Sequence, residues 1–200
     1  MMKSSDQPSL FGSDPTVPEG FRYWPDFLTG EEEHDLIRQF ESLPFENFQF
    51  HGFTGNRRVV SFGWKYDFNE RELRKAEDMP PFLLPLRERA AHLAGLGTSS
   101  LQHVLVTEYA PGAGIGWHRD KAVFDEVVGI SFLSTCDFRF RRKKGTSWER
   151  AKIVAEARSA YLLSGPSRSE WEHSIPAVDR LRYSITFRNF RPGTAEGAGV

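Results

Sequence analysis

The alternation of apolar and polar residues divides the chain into a part with two predicted helices and a strand-rich remainder. Apolar side chains recur at helical spacing over residues 36–43. They follow Thr29-Gly-Glu-Glu32, in which the threonine is suited to cap a helix and the glutamate to reach back to it. A second helix is predicted to begin after Pro80-Pro81 and to end at Leu93.

Beyond residue 100 the pattern is that of β-strands. The clearest segment alternates strictly between polar and apolar residues, and its polar face carries Arg182, Ser184, Thr186 and Arg188. The segments with strand character are 104–109, 115–119, 127–133, 137–142, 152–155, 158–163 and 181–188. Two helices followed by a run of strands predict a mainly β protein of the α+β class, with the helices on one side of an antiparallel barrel or jelly roll.

Length and composition limit the classes of protein to which the chain can belong. Its 200 residues, with 17 Phe and 5 Trp, suit one domain, which we place at residues 20–192 between flexible tails over 1–19 and 193–200. The single cysteine, Cys136, excludes an intramolecular disulfide framework and fits a reducing cytoplasm. A net charge of −1 excludes a globally basic nucleic-acid binder but allows a local basic patch. We expect a monomeric cytoplasmic protein, since no membrane span or secretory signal is evident.

The candidate metal site is His118-Arg119-Asp120 together with His173, which lies 55 positions after the first histidine. Residues i and i+2 of a strand point to the same face, so His118 and Asp120 would project side by side. Two imidazoles and a carboxylate can occupy one face of an octahedral Fe(II) and leave the opposite positions open for a co-substrate and O2. The alternative is an ordinary hydrogen bond between histidine and aspartate at a strand end.

Two arginines of the alternating segment, Arg182 and Arg188, are candidates for binding a dicarboxylate such as 2-oxoglutarate. A guanidinium group holds a carboxylate through two parallel hydrogen bonds. Six residues of flat strand separate their Cα atoms by about 20 Å, which favours Arg182 unless long side chains and barrel curvature bring both to the ligand. The alternative is a half-buried strand whose polar face contacts solvent.

Four stretches, taken in order, resemble the AlkB family of Fe(II)/2-oxoglutarate-dependent dioxygenases. They are Tyr109-Ala-Pro-Gly112, His118-Arg-Asp-Lys121, Gly165-Pro-Ser-Arg168 leading to His173, and Arg182-Tyr-Ser-Ile-Thr-Phe-Arg188. The resemblance extends over residues 20–192 and implies a double-stranded β-helix. The iron ligands that it implies are His118, Asp120 and His173, and the residues that it implies for 2-oxoglutarate are Tyr109, Arg182, Arg188, Thr186 and Ser184. Members of this family oxidatively demethylate alkylated bases of DNA or RNA, and some act on protein.

Two positions depart from the pattern of the best-known bacterial members of that family. Thr107 stands two residues before Tyr109, where those members have an asparagine, and its hydroxyl reaches less far toward the co-substrate than a carboxamide. Ala122 stands two residues after Asp120, where those members have an acid that contacts the target base. Because alanine cannot accept a hydrogen bond from an exocyclic amine, we expect weaker discrimination between adenine and cytosine adducts.

Residues 48–66 interleave aromatic and basic side chains and are a candidate surface for a nucleic acid. Aromatic side chains stack on flipped or single-stranded bases, and arginines contact phosphates. The candidates are Phe53, Arg57, Arg58 and Trp64. The alternative is a core hairpin in which Phe62, Trp64 and Tyr66 share one strand face and point inward.

A second candidate surface lies at residues 139–152. These residues carry seven positive charges and one acid, Glu149. Such clustering in a chain of nearly zero net charge favours a phosphate-binding strand face that includes Arg141 and Arg142. The alternative is a solvated strand face, which is the usual role of a run of charges.

Three functions remain open from the sequence. The first is an oxygenase that demethylates alkylated nucleobases in DNA or RNA and thereby repairs alkylation damage, with formaldehyde, succinate and CO2 as products. The second has the same chemistry with a protein or a small molecule as substrate. The third is a non-catalytic, cupin-like module with a structural metal and no 2-oxoglutarate binding.

A short segment of the N-terminal tail predicts a protein partner. Gln7-Pro-Ser-Leu-Phe11 resembles the motif by which bacterial DNA-maintenance proteins bind the replication sliding clamp. We hypothesise that the clamp is contacted by Gln7, Leu10 and Phe11. The alternative is that the two apolar side chains pack on the domain itself.

Overall fold

The computed structural model of the protein describes residues 17–50, 53–67 and 72–193. Outside these ranges lies the segment predicted to bind a sliding clamp, with Gln7, Leu10 and Phe11. Within them, no helix is long and apolar enough to cross a membrane.

Both predicted helices form where the apolar spacing places them. Helix α1 spans Gly30–Phe40. The Thr29 hydroxyl accepts from the Glu32 N–H at 3.1 Å, and the Glu32 carboxylate accepts from the Thr29 N–H at 2.8 Å, so the predicted capping exchange closes its first turn. Helix α2 spans Leu84–Ala94 after a 3-10 turn at Pro81–Leu83.

Thirteen strands and a short third helix make up the other regular elements of the described residues. The strands before α2 are β1 (Phe21–Trp24), β2 (Glu46–Phe50), β3 (Phe53–Phe62), β4 (Trp64–Asp67) and β5 (Glu72–Lys75). Those after α2 are β6 (His103–Tyr109), β7 (Ile115–His118), β8 (Phe124–Phe132), β9 (Cys136–Lys144), β10 (Ser147–Ala155), β11 (Ala160–Leu163), β12 (Glu172–Ile175) and β13 (Arg182–Phe190). Helix α3 spans Gly165–Ser169.

The strands form two antiparallel sheets and a separate hairpin. The larger sheet has the order β1-β11-β8-β13-β6-β3-β2, the smaller has the order β10-β9-β12-β7, and β4 pairs with β5. From β6 to β13 the chain passes repeatedly from the larger sheet to the smaller one and back. This alternation between two sheets is the jelly-roll arrangement that the sequence predicts, and the predicted fold class is confirmed.

Two apolar cores hold these layers together. One lies between the larger sheet and the helices and includes Phe40 and Leu86. The other lies between the two sheets and includes Tyr109, Phe138 and Tyr161. The helices thus pack on one side of the larger sheet, as predicted, and the functional candidates are found on its other side.

The strand prediction was wrong at two points and missed one strand beyond residue 100. Phe62 and Trp64 do not share one strand, because Gly63 between them has a φ of +78° and ends β3. Strand β10 begins at Ser147 rather than at residue 152, since polar, solvent-facing side chains in its first half hide the apolar alternation. Strand β12 was not predicted, because its four residues are too short to show a period.

Candidate active site

The two predicted histidine ligands lie on neighbouring strands of the smaller sheet. His118 ends β7, His173 lies in β12, and the two residues are direct partners in the antiparallel pairing. Their ring centroids are 4.3 Å apart. Asp120 follows just after β7, and its Oδ2 lies 3.6 Å from Nε2 of His173. The fold therefore brings together all three predicted metal ligands.

The protonation of these side chains suits metal binding. Nδ1 of His118 lies 2.9 Å from the carbonyl oxygen of Gly116. A carbonyl oxygen only accepts, so Nδ1 carries the proton and Nε2 keeps its lone pair. Burial lowers the pKa of His173 to about 3 and also lowers the pKa of His118. Both rings are therefore neutral near pH 7, which is the form that binds a metal ion.

Asp120 is ionised and is held by an arginine. Burial on its own would raise the pKa of Asp120, but the charge of Arg188, helped by the two histidines, lowers it well below its usual value. Oδ1 of Asp120 accepts from Nη2 and Nε of Arg188 at 2.7 and 2.9 Å. Within the described ranges, no three His, Cys, Asp or Glu side chains already have the arrangement of a formed metal site. The donor set itself, two imidazoles and a carboxylate, fits Fe(II).

Arg188 connects the metal ligands to the larger sheet. It lies in β13 directly opposite His103 in β6, and its Nη1 is 3.4 Å from Nδ1 of that histidine. Burial lowers the pKa of His103 well below its usual value, so this ring is neutral beside the guanidinium. Arg188 thus orients Asp120, and its predicted contact with 2-oxoglutarate stays a prediction.

Arg182 is a completely buried cation, and the described residues satisfy only part of its hydrogen-bonding capacity. Its Nη2 donates to the Ser131 hydroxyl at 2.8 Å, and its guanidinium carbon lies 4.9 Å from the Tyr109 ring centroid. Its Nε and Nη1 are buried and have no hydrogen-bond partner in the described structure. A buried guanidinium with unpaired N–H groups is costly unless an anion binds it. These two donors fit a carboxylate of 2-oxoglutarate.

Small polar side chains surround this cation on the inner face of the larger sheet. Thr107 and Ser184 are direct cross-strand partners, and Ser184 also pairs with Ser131. The three are buried. Thr186 is the exception among the predicted co-substrate residues, because its hydroxyl donates to the Leu105 carbonyl oxygen at 3.4 Å. The predicted polar face of β13 therefore does point into the space between the sheets.

Of two adjacent arginines predicted to contact substrate, the structure directs only one toward the site. Arg57 pairs across β3 and β6 with Tyr109 and therefore lies on the inner face of the sheet. Arg58 lies on the opposite face, where it donates to both carboxylate oxygens of Glu108 at 2.7 Å. The Tyr183 hydroxyl donates to the same carboxylate at 3.0 Å. Arg58 thus belongs to an ion pair on the helix-covered side of the sheet.

The other predicted substrate residues near the sheet edge are dispersed. Trp64 packs edge to face against Phe190, with ring centroids 5.6 Å apart. Ala122 is exposed in the turn that follows Asp120. Phe53 begins β3, and its side chain lies outside the described part of the structure. Their contact with a base stays a prediction.

The predicted basic face lies on the outside of the smaller sheet, and acids partly neutralise it. Arg141 pairs with Glu172 at 2.5 Å, and its guanidinium lies between two tryptophan rings. Arg142 pairs with Glu149 at 2.9 Å and with Glu170 at 2.5 Å. Glu170, just after α3, and Glu172 in β12 were not visible in the local charge count, because they are distant in sequence.

Arg168, to which the sequence analysis assigned no role, holds the turn next to the metal ligand Asp120. This side chain is buried, and its Nη2 donates to the carbonyl oxygens of Lys121 and Phe124 at 2.6 and 2.8 Å. These two carbonyls bracket the turn after Asp120, so Arg168 fixes the path of the chain next to the metal ligand. The only sequence signal was its place in Gly165-Pro-Ser-Arg168, five residues before His173.

A jelly roll with a His-x-Asp motif, a distant histidine and a buried arginine has the features of a metal-dependent oxygenase that binds a carboxylate co-substrate. The sequence matches the family model of the 2OG-Fe(II) oxygenase superfamily over residues 20–188. The chain belongs to this superfamily, and its relatives are of the AlkB type, as the resemblance implied.

Two curated relatives and one solved structure illustrate this similarity. The Arabidopsis thaliana "Alkylated DNA repair protein ALKBH8 homolog" is 26% identical over 209 residues, which cover 92% of this chain and 58% of the relative. The Danio rerio "Probable RNA/DNA demethylase ALKBH6" is 31% identical over 113 residues, which cover 56% of this chain and 45% of the relative. The chain thus spans about half the length of each of these two relatives. The structure of OsALKBH1 matches 90% of this chain with a TM-score of 0.69 and 18% identity, which shows the shared double-stranded β-helix fold.

Proposed function

We propose that the chain is an Fe(II)- and 2-oxoglutarate-dependent dioxygenase that oxidatively demethylates alkylated bases of DNA or RNA. The observation that carries the proposal is the buried Arg182, whose Nε and Nη1 have no partner in the described structure. This cation shares the space between the sheets with Tyr109 and lies in the same inner layer as Arg188, which holds Asp120. A metal-ligand cluster beside an unsatisfied buried cation is what a metal-bound dicarboxylate requires.

The side chains of the site would divide the work among them. His118, Asp120 and His173 would hold the iron, and Arg182 with Tyr109 would orient the dicarboxylate. Bound Fe(II), with 2-oxoglutarate and O2, supplies the oxidation of an N-methyl group to a hydroxymethyl group, which leaves as formaldehyde while succinate and CO2 form. Arg188 keeps Asp120 ionised and oriented, and the buried inner face limits access of water.

The names of the relatives support a nucleic acid as the substrate. One is named an alkylated DNA repair protein and the other a probable RNA/DNA demethylase. Two described features would contact a nucleic acid. One is Arg57 on the inner face of the larger sheet, and the other is the part of the basic face of the smaller sheet that acids do not neutralise. DNA and RNA remain equal candidates.

Anaerobic reconstitution with Fe(II) and 2-oxoglutarate, followed by oxygen and a panel of methylated oligonucleotides, tests the proposal. We expect formaldehyde, succinate and a mass loss of one methyl group from at least one substrate. His118→Ala, Asp120→Ala and His173→Ala should each abolish succinate formation, because three ligands are the minimum face. Arg38→Gln, at an exposed position of α1, is the control for a lost surface residue. Normal turnover in any one ligand variant removes that residue from the metal site.

A second candidate, the same chemistry on a protein or a small molecule, is favoured by one observation. Arg141, on the outer face of the smaller sheet, and Arg142, which lies over the Trp171 ring, are both paired with glutamates and are less available to phosphates. Salt-sensitive binding of oligonucleotides would support the nucleic acid. Co-substrate turnover without any oligonucleotide binding would support the second candidate, and absence of 2-oxoglutarate binding would leave only a non-catalytic metal module.

A further inference from the structure

We infer that Arg57 makes the site reject cationic alkyl adducts, so that the preferred substrate is a base whose alkylated form is neutral. This inference rests on the proposed function, because it concerns the charge of the base that is demethylated. It specifies the class of adduct, which the comparisons with relatives leave open.

The position of Arg57 follows from the pairing of three neighbouring strands. Arg57 in β3 is the direct partner of Tyr109 in β6, and Tyr109 is the direct partner of Arg182 in β13. Directly paired residues of antiparallel strands project to the same face. The three side chains therefore form a row on the inner face of the larger sheet, with Arg57 at the end away from the buried Arg182. Arg58, the next residue, is bound to Glu108 on the other face, which confirms the alternation.

The charge of Arg57 is not balanced by an acid of the described residues. The central carbon of its guanidinium lies over the Phe48 ring, 3.7 Å from the centroid. No carboxylate of the described residues forms an ion pair with it, whereas Arg58, Arg141, Arg142 and Arg188 each have one. The side chain is half-buried, and burial lowers the pKa of Arg57, so its field is less screened than that of a surface arginine.

The remaining charges around the reacting position do not offset it. Arg57, Arg168 and Arg188 act electrostatically on His118 or Asp120, and Arg182 lies in the same layer. Two described carboxylates stand against these four cations: Asp120 is paired with Arg188, and Asp125 acts electrostatically on Arg168, so neither is paired with Arg57. A metal dication and a bound dicarboxylate would cancel each other. The turn that follows Asp120 adds no acid next to the substrate, because position 122 is alanine.

The charge of an alkylated base depends on where the alkyl group is attached. At neutral pH a base methylated on N1 of adenine or N3 of cytosine is protonated and carries a positive charge, whereas a methyl group on the exocyclic amine leaves the base neutral. The deprotonated forms of each pair are isomers, so at neutral pH the two members differ only in the position of the methyl group and in one bound proton with its charge. A cation beside an uncompensated guanidinium is repelled, and we expect at least about a tenfold preference for the neutral isomer at low salt.

Binding of short oligonucleotides to the Mn(II)- and 2-oxoglutarate-loaded protein without oxygen tests this inference, with turnover of the Fe(II) form as a second readout. The oligonucleotides carry N6-methyladenine, 1-methyladenine, N4-methylcytosine, 3-methylcytosine or no adduct. The variants are Arg57→Gln, which removes the charge, and Arg57→Lys, which keeps it. Arg38→Gln, on exposed α1, is the control for net charge.

We expect the wild type and Arg57→Lys to prefer the neutral isomers, and Arg57→Gln to lose most of that preference by gaining affinity for the cationic ones. Raising the pH until 1-methyladenine loses its proton should also remove the preference. A wild-type preference for the cationic isomers, or an unchanged ratio in Arg57→Gln, overturns the inference. Equal weakening of all five oligonucleotides would mean that Arg57 contacts phosphate, which also overturns it. Failure to bind or turn over any adduct instead rejects the proposed function.

Discussion

Replacing Arg182 by methionine is expected to stabilise the ligand-free protein and to abolish its response to 2-oxoglutarate. The side chain is fully buried, and two of its N–H groups have no partner in the described structure. Each unsatisfied buried donor costs about 1–3 kcal/mol. Methionine follows a similar path through the core without polar atoms. The substitution also removes the hydrogen bond to Ser131 and the contact with Tyr109, together worth about 1–3 kcal/mol.

With midpoint values of about 4 kcal/mol gained and about 2 kcal/mol lost, the expected net gain is about 2 kcal/mol, which for a protein of this size raises Tm by roughly 4–8 °C. The assay is thermal unfolding of the metal-free protein, repeated with Mn(II) and increasing 2-oxoglutarate. The wild type should gain about 2.7 kcal/mol when the co-substrate is present at 100 times its Kd, and the variant should gain nothing.

Arg58→Met is the matched control, because Arg58 is paired with Glu108 on the other face of the sheet. This variant should lower Tm and keep the full response to the co-substrate. The reasoning is refuted if Arg182→Met unfolds at a lower temperature than the wild type, or if it still responds to 2-oxoglutarate.

Three further predictions concern packing, substrate choice and pH. A Cβ at residue 129 would lie 2.0 Å from the buried Tyr161 ring, so Gly129→Ala should destabilise the protein by about 1–3 kcal/mol in denaturant unfolding. Gly30→Ala is the control, because a Cβ at residue 30 meets open space and should not destabilise the protein. Equal stability of the two variants would contradict the packing around Gly129. Ala122→Asp should shift relative turnover toward cationic adducts, and an unchanged ratio would show that position 122 does not line the base pocket. Metal-free stability should fall as pH drops below about 6.5, because burial lowers the pKa of His103, His118 and His173 and the unfolded chain binds more protons. His103→Gln should reduce that dependence by the part that His103 contributes, and a slope equal to that of the wild type would assign it to the other two histidines.

The parts of the site that lie on regular strands were predictable from the sequence. The alternation over Arg182–Arg188 placed four polar residues on one face, and the structure confirms that this face is turned toward the smaller sheet. In this strand local backbone geometry alone decides the direction of the side chains. Asp120 lies just after the end of β7 and acts electrostatically on His118, so strand alternation does not by itself account for its position.

The parts that depend on pairing between distant segments were not predictable. Arg57 and Arg58 have the same local character, and only the register of β3 against β6 directs the first inward and the second toward Glu108. One of the two ion pairs of Arg142 is with Glu170, which lies 28 positions away and is brought close by the fold. No periodicity of a single segment contains that information.

The pairing of His118 with His173 in the smaller sheet, and the location of Arg182 and Arg188 in the larger one, divide the site between two layers. A molecule that binds the metal at one end and presents a carboxylate to Arg182 at the other would act as a noncovalent cross-link between the layers. Opening of the jelly roll would then require its release. Amide protons of β6 and β13 should therefore exchange more slowly in its presence, together with those of β7 and β12, although no strand changes its partners.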